Sequence, residues 1–164
     1  MSEEVFPDRS MEHDDKILWM VETHGWALEA VLPRPDLSPP SPAYAYTVGL
    51  EKLVAFPEIA VFGLTPAAAR GLLGLVVDLL VGGTEIPIGS LFTGLLDNDL
   101  RSALLAVDLD EHGDLFATAT HWYAGEPYRV VQLAWPDRNG WMPWESGFDE
   151  RLRYAEPLIG DVPE

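Results

Sequence analysis

The spacing of apolar and polar residues predicts a chain in which helices and strands alternate. Apolar residues recur at helical spacing over 11–24, and Gly25 ends that segment. A second helix is predicted over 66–81, because Thr65 supplies a capping hydroxyl and Pro66 suits the first helical position. Both segments have one predominantly apolar side, as expected of helices that pack on a sheet.

Shorter runs with a period of two predict the strands. Tyr44 and Tyr46 fall on one face of the strand at 44–50. The segments 58–64 and 128–135 are apolar on both faces, which is typical of strands inside a sheet. The full set of predicted strands is 26–32, 44–50, 58–64, 86–88, 102–107 and 128–135, with a third helix at 115–123.

These elements predict one α+β domain over residues 1–164, with a mixed or antiparallel sheet of five to six strands and about three helices. A half-open barrel is also compatible with their order. We expect a core over 11–148 and loosely held acidic termini at 1–9 and 149–164. The helix at 66–81 should pack on one sheet face.

The charge excludes some classes of partner. The net charge of −17 repels phosphate backbones, and no basic cluster offsets it, so we expect no nucleic-acid binding. The acidic surface either keeps the protein soluble or docks a basic partner. The absence of cysteine excludes disulfides and thiolate metal sites. The acidic start and the lack of a long apolar run predict a cytoplasmic protein with no membrane contact.

The segment 135–145 has an unusual composition. It holds Trp135, Trp141 and Trp144, three of the six tryptophans, around two prolines and an Asn-Gly turn. Tryptophan brings a large apolar surface, and proline restricts the backbone that carries it. Such a segment is either a rigid lid over a core, covering an edge or the open face of the sheet, or the wall of a pocket.

Two residues are candidates for acid–base chemistry, and each also has a structural interpretation. His24 ends a predicted helix, where it can either bond the last carbonyls or transfer protons at a pocket mouth. Asp137 either organises a turn with Asn139 and Gly140 or acts as a carboxylate with a pKa raised by nearby indoles. The common nucleotide-binding, hydrolase and zinc-protease signatures are absent.

The aromatic residues are candidates for binding a ligand. They fall at strand faces, a helix end and the tryptophan-rich segment, where each is either core or pocket wall. Asp114 and His121 lie seven residues apart, which matches no zinc motif, so neither a metal nor a cofactor is expected. The predicted ligand-binding set is Trp26, Tyr44, Tyr46, Trp122, Tyr123, Trp135, Trp141 and Trp144.

Several short motifs, taken in order, resemble the bacterial family called domain of unknown function 4262. They are His24-Gly25-Trp26, Ala45-Tyr46-Thr47-Val48-Gly49-Leu50, Phe56-Pro57-Glu58-Ile59, Phe62-Gly63-Leu64, Trp135-Pro136-Asp137 and Pro143-Trp144. The resemblance implies a compact α+β domain of bacteria, particularly actinobacteria, and supplies no catalytic residues. Glu156 departs from it, since many relatives are expected to have glutamine there.

Two classes of function remain open. The first is binding of a small planar or aromatic molecule in an aromatic-lined pocket, with or without acid–base chemistry by His24 or Asp137. The second is a protein-interaction module that uses the acidic surface and exposed tryptophans to dock a basic partner. The sequence leaves open whether the protein is an enzyme and whether it forms a homo-oligomer.

Overall fold

The computed structural model describes residues 10–163, in which six strands form one mixed sheet. Its strand order is β1-β2-β3-β6-β5-β4, and every neighbouring pair is antiparallel except β3 and β6. The α+β class and the mixed sheet are confirmed. The sheet has free edges at β1 and β4 and helices pack on both of its faces, so it does not form the half-open barrel. The strands are β1 Ala27–Val31, β2 Tyr44–Val48, β3 Glu58–Phe62, β4 Leu91–Phe92, β5 Ser102–Ala106 and β6 Val130–Ala134.

Three of the helices span seven residues or more. The helix predicted at 66–81 has the predicted bounds, and the Thr65 hydroxyl oxygen accepts a hydrogen bond from the Ala68 N–H at 3.2 Å. The helix predicted over 115–123 starts later, because Gly113–Phe116 winds as a 3₁₀ turn. The α-helices are α1 His13–His24, α2 Leu50–Val54, α3 Pro66–Val81, α4 Leu109–His112 and α5 Ala117–Tyr123.

Two local predictions are wrong. The strand predicted over 44–50 stops at Val48, because Gly49 has a φ of 107° and turns the chain into α2. The strand predicted at 86–88 is absent. Ile88 forms a single bridge to Leu104, and the strand β4 follows later in the chain. Pro87 lacks the N–H that a continuous ladder needs.

Helices cover both faces of the sheet. Helix α3 packs on one face through its buried residues Leu73, Val76 and Val77. On the other face, α1 and α5 pack beside the buried aromatic residues of β2 and β3. Within residues 10–163, no helix combines the length and apolar character that are needed to cross a bilayer.

The tryptophan-rich segment and the C-terminal segment cover the rest of that second face. Met142 packs on β5 and β6, as expected of a segment covering the open face. The buried Gln132 side chain donates to the Pro157 carbonyl at 2.7 Å and accepts from the Ile159 and Gly160 N–H groups. These contacts attach residues 157–160 to β6, and the loosely held tail over 149–164 stays a prediction. Residues 1–9, predicted to be loose as well, lie outside the described residues.

Candidate functional site

A completely buried carboxylate lies at the start of β3. Glu58 accepts hydrogen bonds from the Thr47 hydroxyl at 2.7 Å, the Gly49 N–H at 2.8 Å and the Leu50 N–H at 3.1 Å. The Tyr123 phenol, at the end of α5, donates a further hydrogen bond to it. The carboxylate thus joins β2, the first turn of α2 and the end of α5.

The hydrogen bonds to Glu58 favour its ionised form, whereas its burial favours the neutral form. The Ile59 N–H donates to the Thr47 hydroxyl oxygen at 2.9 Å, so the Thr47 proton is directed at Glu58. Backbone N–H groups can only donate. Burial raises the pKa of Glu58, and the hydrogen bonds from Tyr123, Thr47 and the two N–H groups oppose that rise. Burial and the nearby negative charge of Glu58 raise the pKa of Tyr123, so it remains a neutral phenol.

Local backbone geometry sets up this arrangement. The antiparallel register of β2 and β3 pairs Tyr46 with Ala60, which places Thr47 beside the first residues of β3. The left-handed conformation of Gly49 then turns the chain, and the N–H groups of Gly49 and Leu50 both point at the same carboxylate. The observed φ of 107° at position 49 favours glycine.

Tyr123 also lines a surface cleft of about 480 Å³. A ring in this cleft can contact the Trp122 indole, and a polar ligand group can reach the Tyr123 phenol. The Tyr128 ring stacks on the Tyr123 ring at 4.8 Å between centroids, which restricts the position of Tyr123. At the rim, Arg129 forms an ion pair with Glu51 at 2.6 Å. The lining residues are Glu51, Lys52, Trp122, Tyr123, Ala124, Glu126 and Pro127.

Comparison with known proteins places the chain in a family. The model of the family described as "Domain of unknown function (DUF4262)" matches residues 20–149, most of the chain. The chain belongs to the DUF4262 family. Neither the curated proteins nor the solved structures give a match. All residues that line the cleft, and Glu58 behind it, lie inside the region that the DUF4262 model matches.

The structure brings together only part of the predicted aromatic set. Trp122 and Tyr123 share the cleft. Tyr44 and Tyr46 are buried in the core of this DUF4262 domain. Tyr44 stacks on Phe62 at 5.1 Å, and its phenol donates to the Leu115 carbonyl at 2.7 Å.

His24 and Trp26 line a different and smaller cavity of about 200 Å³, together with Arg70 and Asp78. His24 is the last residue of α1, and its ring meets the Trp19 ring edge-on at 5.8 Å. Gly25 follows in a left-handed conformation, which confirms the predicted helix end. A proton-transfer role for His24 stays a prediction.

Asp137 organises the tryptophan-rich segment. Its buried carboxylate accepts hydrogen bonds from the N–H groups of Asn139, Trp141 and Asp149 at 2.9 to 3.0 Å. These are the contacts expected from the turn interpretation. The acid–base role of Asp137 stays a prediction. Trp144 packs on the buried cluster around Met142.

The other two tryptophans of this segment also lie apart from the cleft. The Trp135 indole N–H donates to the Phe62 carbonyl at 2.9 Å, so that ring is fixed against β3. Trp141 is 45 % exposed. Nearby, Arg101 donates to both carboxylate oxygens of Glu145 and holds the pKa of that carboxyl below its ordinary value. Most of this segment therefore belongs to the scaffold.

The sequence interpretation missed Glu58 and Thr47. One signal was present, since a glutamate opens a strand that is otherwise apolar on both faces. It named Glu156 only as a departure from the family pattern and did not predict that this residue is buried, with one carboxylate oxygen that has no hydrogen-bond partner. Among residues 10–163, no group of three or more His, Cys, Asp or Glu side chains could hold a metal ion.

Proposed function

We propose that the cleft at Trp122 and Tyr123 binds a small planar or aromatic molecule. The observation that carries this proposal is the hydrogen bond between Tyr123, which lines the cleft, and the buried Glu58 behind it. A partly buried phenol that is bonded to a buried carboxylate fixes ligand orientation, while the indole of Trp122 provides apolar contact area.

The chemistry of the pair defines which ligands fit. Because the Tyr123 proton is used by Glu58, the phenol oxygen is left as an acceptor, and the carboxylate makes it a stronger one. The ligand therefore presents a hydrogen-bond donor, such as an amino group, to Tyr123. The rim carries Glu51, Lys52 and Glu126, which gives anions no advantage. A neutral or cationic amino-substituted ring meets all of these conditions.

Acid–base chemistry at this cleft runs through the same pair. A proton that leaves a ligand donor would pass to the Tyr123 oxygen while the phenolic proton passes to Glu58. The burial that raises the pKa of Glu58 assists this transfer. Tyr123 and Glu58 thus replace His24 and Asp137 as the groups best placed for proton transfer.

Ligand-observed NMR tests the proposal. We expect planar amino-heteroaromatic fragments to bind, and analogues with methyl in place of the amino group to bind about tenfold more weakly, since the bound methyl analogue covers the Tyr123 acceptor and leaves it unpaired. Tyr123→Phe should remove this preference for the amino group. Trp122→Ala should weaken both series, because both lose the same ring contact.

Tyr128→Phe is the matched control. It removes a phenolic hydroxyl from the ring that stacks on Tyr123, but that hydroxyl bonds Thr120 and not Glu58. We expect it to bind both fragment series as the wild type does. Equal binding of the amino and methyl series by the wild type, or equal effects of the two tyrosine substitutions, would contradict the proposed role of Tyr123.

A second candidate function is docking of a basic protein partner. It is supported by the 45 % exposure of Trp141 on a protein with a net charge of −17. Titration of a lysine-rich peptide against the wild type and Trp141→Ala tests this function. It requires binding that weakens with salt and with loss of the indole. Binding that Trp141→Ala leaves unchanged would be unspecific attraction and would count against it.

A further inference from the structure

A third cavity, of about 350 Å³, lies where β1 ends and β2 begins. Its walls come from these strands, the turn after β3, the start of α3 and the C-terminal segment at Tyr154 and Ala155. It shares no residue with the cleft at Trp122 and Tyr123. It is a separate site whose ligand is not constrained by the function proposed above.

The walls of this cavity are uncharged. None of its fourteen lining residues is charged, although 23 % of the residues in the chain are. The Tyr44 phenol donates to the Leu115 carbonyl, and the Thr65 oxygen caps α3. Apart from the Tyr154 phenol at the exposed rim, the Thr65 hydroxyl hydrogen is the only one left among the lining side chains to donate to a ligand. A charged ligand would therefore lose its hydration without gaining a partner.

The cavity is closed at one side by a close approach of two segments. Gly63 has a φ of 85°, and a side-chain carbon there would lie 2.9 Å from the Ala155 carbonyl oxygen. The C-terminal segment can therefore lie directly against the turn after β3. At the rim, Leu32 is 69 % exposed and Tyr154 is 54 % exposed. A ligand that contacted both side chains would bury apolar surface that is now exposed to water.

We infer that this cavity binds a small, uncharged and mainly apolar molecule that carries at most one hydrogen-bond acceptor. Its volume lies in the range of small-molecule sites, roughly 300–1,000 Å³. The acceptor would face Thr65, and the remaining surface would lie against the aliphatic and aromatic walls. The charge of the protein as a whole adds to the discrimination against anions.

A matched pair of fluorescent probes tests this inference. N-phenyl-1-naphthylamine is uncharged, and 8-anilinonaphthalene-1-sulfonate has the same ring system with an added anionic group. We expect the uncharged probe to bind saturably at one site per chain and the sulfonate to bind at least tenfold more weakly. Ala155→Phe and Ala43→Phe each fill the cavity and should each weaken the uncharged probe about tenfold or more.

Ala106→Phe is the control, because Ala106 is an exposed residue of β5, three strands away from β2. Tyr123→Phe should also leave probe binding unchanged, which separates this cavity from the cleft. Equal affinity for the two probes, or an affinity that neither filling substitution lowers in folded protein, would overturn the inference. Probe fluorescence that changes with self-association of the chain would also overturn the inference, since a second copy of the chain would then occupy the cavity.

Discussion

Glu58 and Tyr123 lie 65 residues apart in the chain, and their side chains share a hydrogen bond inside the protein. The bond connects the first residue of β3 to the last residue of α5. It also links the interior to the surface, since Glu58 is completely buried and Tyr123 lines the cleft. The stability of the fold and the ligand binding that we propose for the cleft therefore depend on the same carboxylate.

Glu58→Gln should destabilise the protein more than Tyr123→Phe does. The glutamine amide oxygen can keep the Gly49 and Leu50 N–H groups, but its NH2 group then faces the Thr47 hydroxyl, which donates to the carboxylate in the wild type, at a cost of about 3 kcal/mol. Tyr123→Phe removes one of several donors and should cost about 1–2 kcal/mol. Urea unfolding measures both changes. Wild-type stability in Glu58→Gln would mean that Glu58 is protonated in the native state.

Glu156→Gln should change the pH dependence of stability. Burial raises the pKa of Glu156 from 4.5 to about 9, so the folded protein binds a proton that the unfolded chain has released at neutral pH. Stability therefore falls as the pH rises from about 4.5 to 9. At pH 7 to 8 the substitution should add about 1–3 kcal/mol, because glutamine needs no proton.

Unfolding of the wild type and Glu156→Gln at pH 5, 7 and 8.5 measures this effect. We expect the two free energies of unfolding to be closest at pH 5 and to separate as the pH increases. A constant difference at the three values would show that the Glu156 carboxyl does not take up a proton on folding.

Asp137→Asn should act on the tryptophan-rich segment and leave the cleft unaffected. The amide can replace only part of the three hydrogen bonds that the carboxylate accepts, so we expect a loss of about 1–2 kcal/mol. Tryptophan emission should change because Trp141 donates one of these bonds. Fragment binding at Tyr123 should persist. If Asp137→Asn kept the wild-type stability and lost fragment binding at Tyr123, Asp137 would again be a candidate for acid–base chemistry.

Gly160→Ala tests the packing of the C-terminal segment, and Gly71→Ala is its control. In Gly160→Ala the new carbon would lie 2.4 Å from the Leu105 Cβ, so the segment must shift, at a cost of about 1–3 kcal/mol. In Gly71→Ala, on α3, it would meet nothing within 4 Å, and we expect a gain of about 0.5–1 kcal/mol. Thermal unfolding compares them. A harmless Gly160→Ala would argue against this packing.

Much of the fold was predictable because its signals are local. Thr65 and Pro66 start α3 through contacts within one helical turn, and the apolar faces of β3 identify an internal strand. The two wrong strand predictions also have local causes, namely single residues that interrupt a strand. A left-handed Gly49 ends β2, and Pro87 interrupts the expected strand before β4.

The candidate site was predicted only in part, for a physical reason. Trp122 and Tyr123 were recognised as aromatic residues at a helix end, but nothing near them in the chain indicates Glu58. Trp135, Trp141 and Trp144 are close in sequence, yet proline and turn residues send their rings in different directions. Closeness along the chain did not predict a shared pocket.

The sequence by itself determined where the longer helices and most of the strands form, which faces are apolar and that the surface is acidic, because these properties depend on neighbouring residues and on composition. The tertiary structure alone decided that Thr47, Glu58 and Tyr123 meet, and that Glu156 is buried. Such contacts depend on strand register and on how helices pack across the sheet. Those are set by the free energy of the whole core, which no short segment contains.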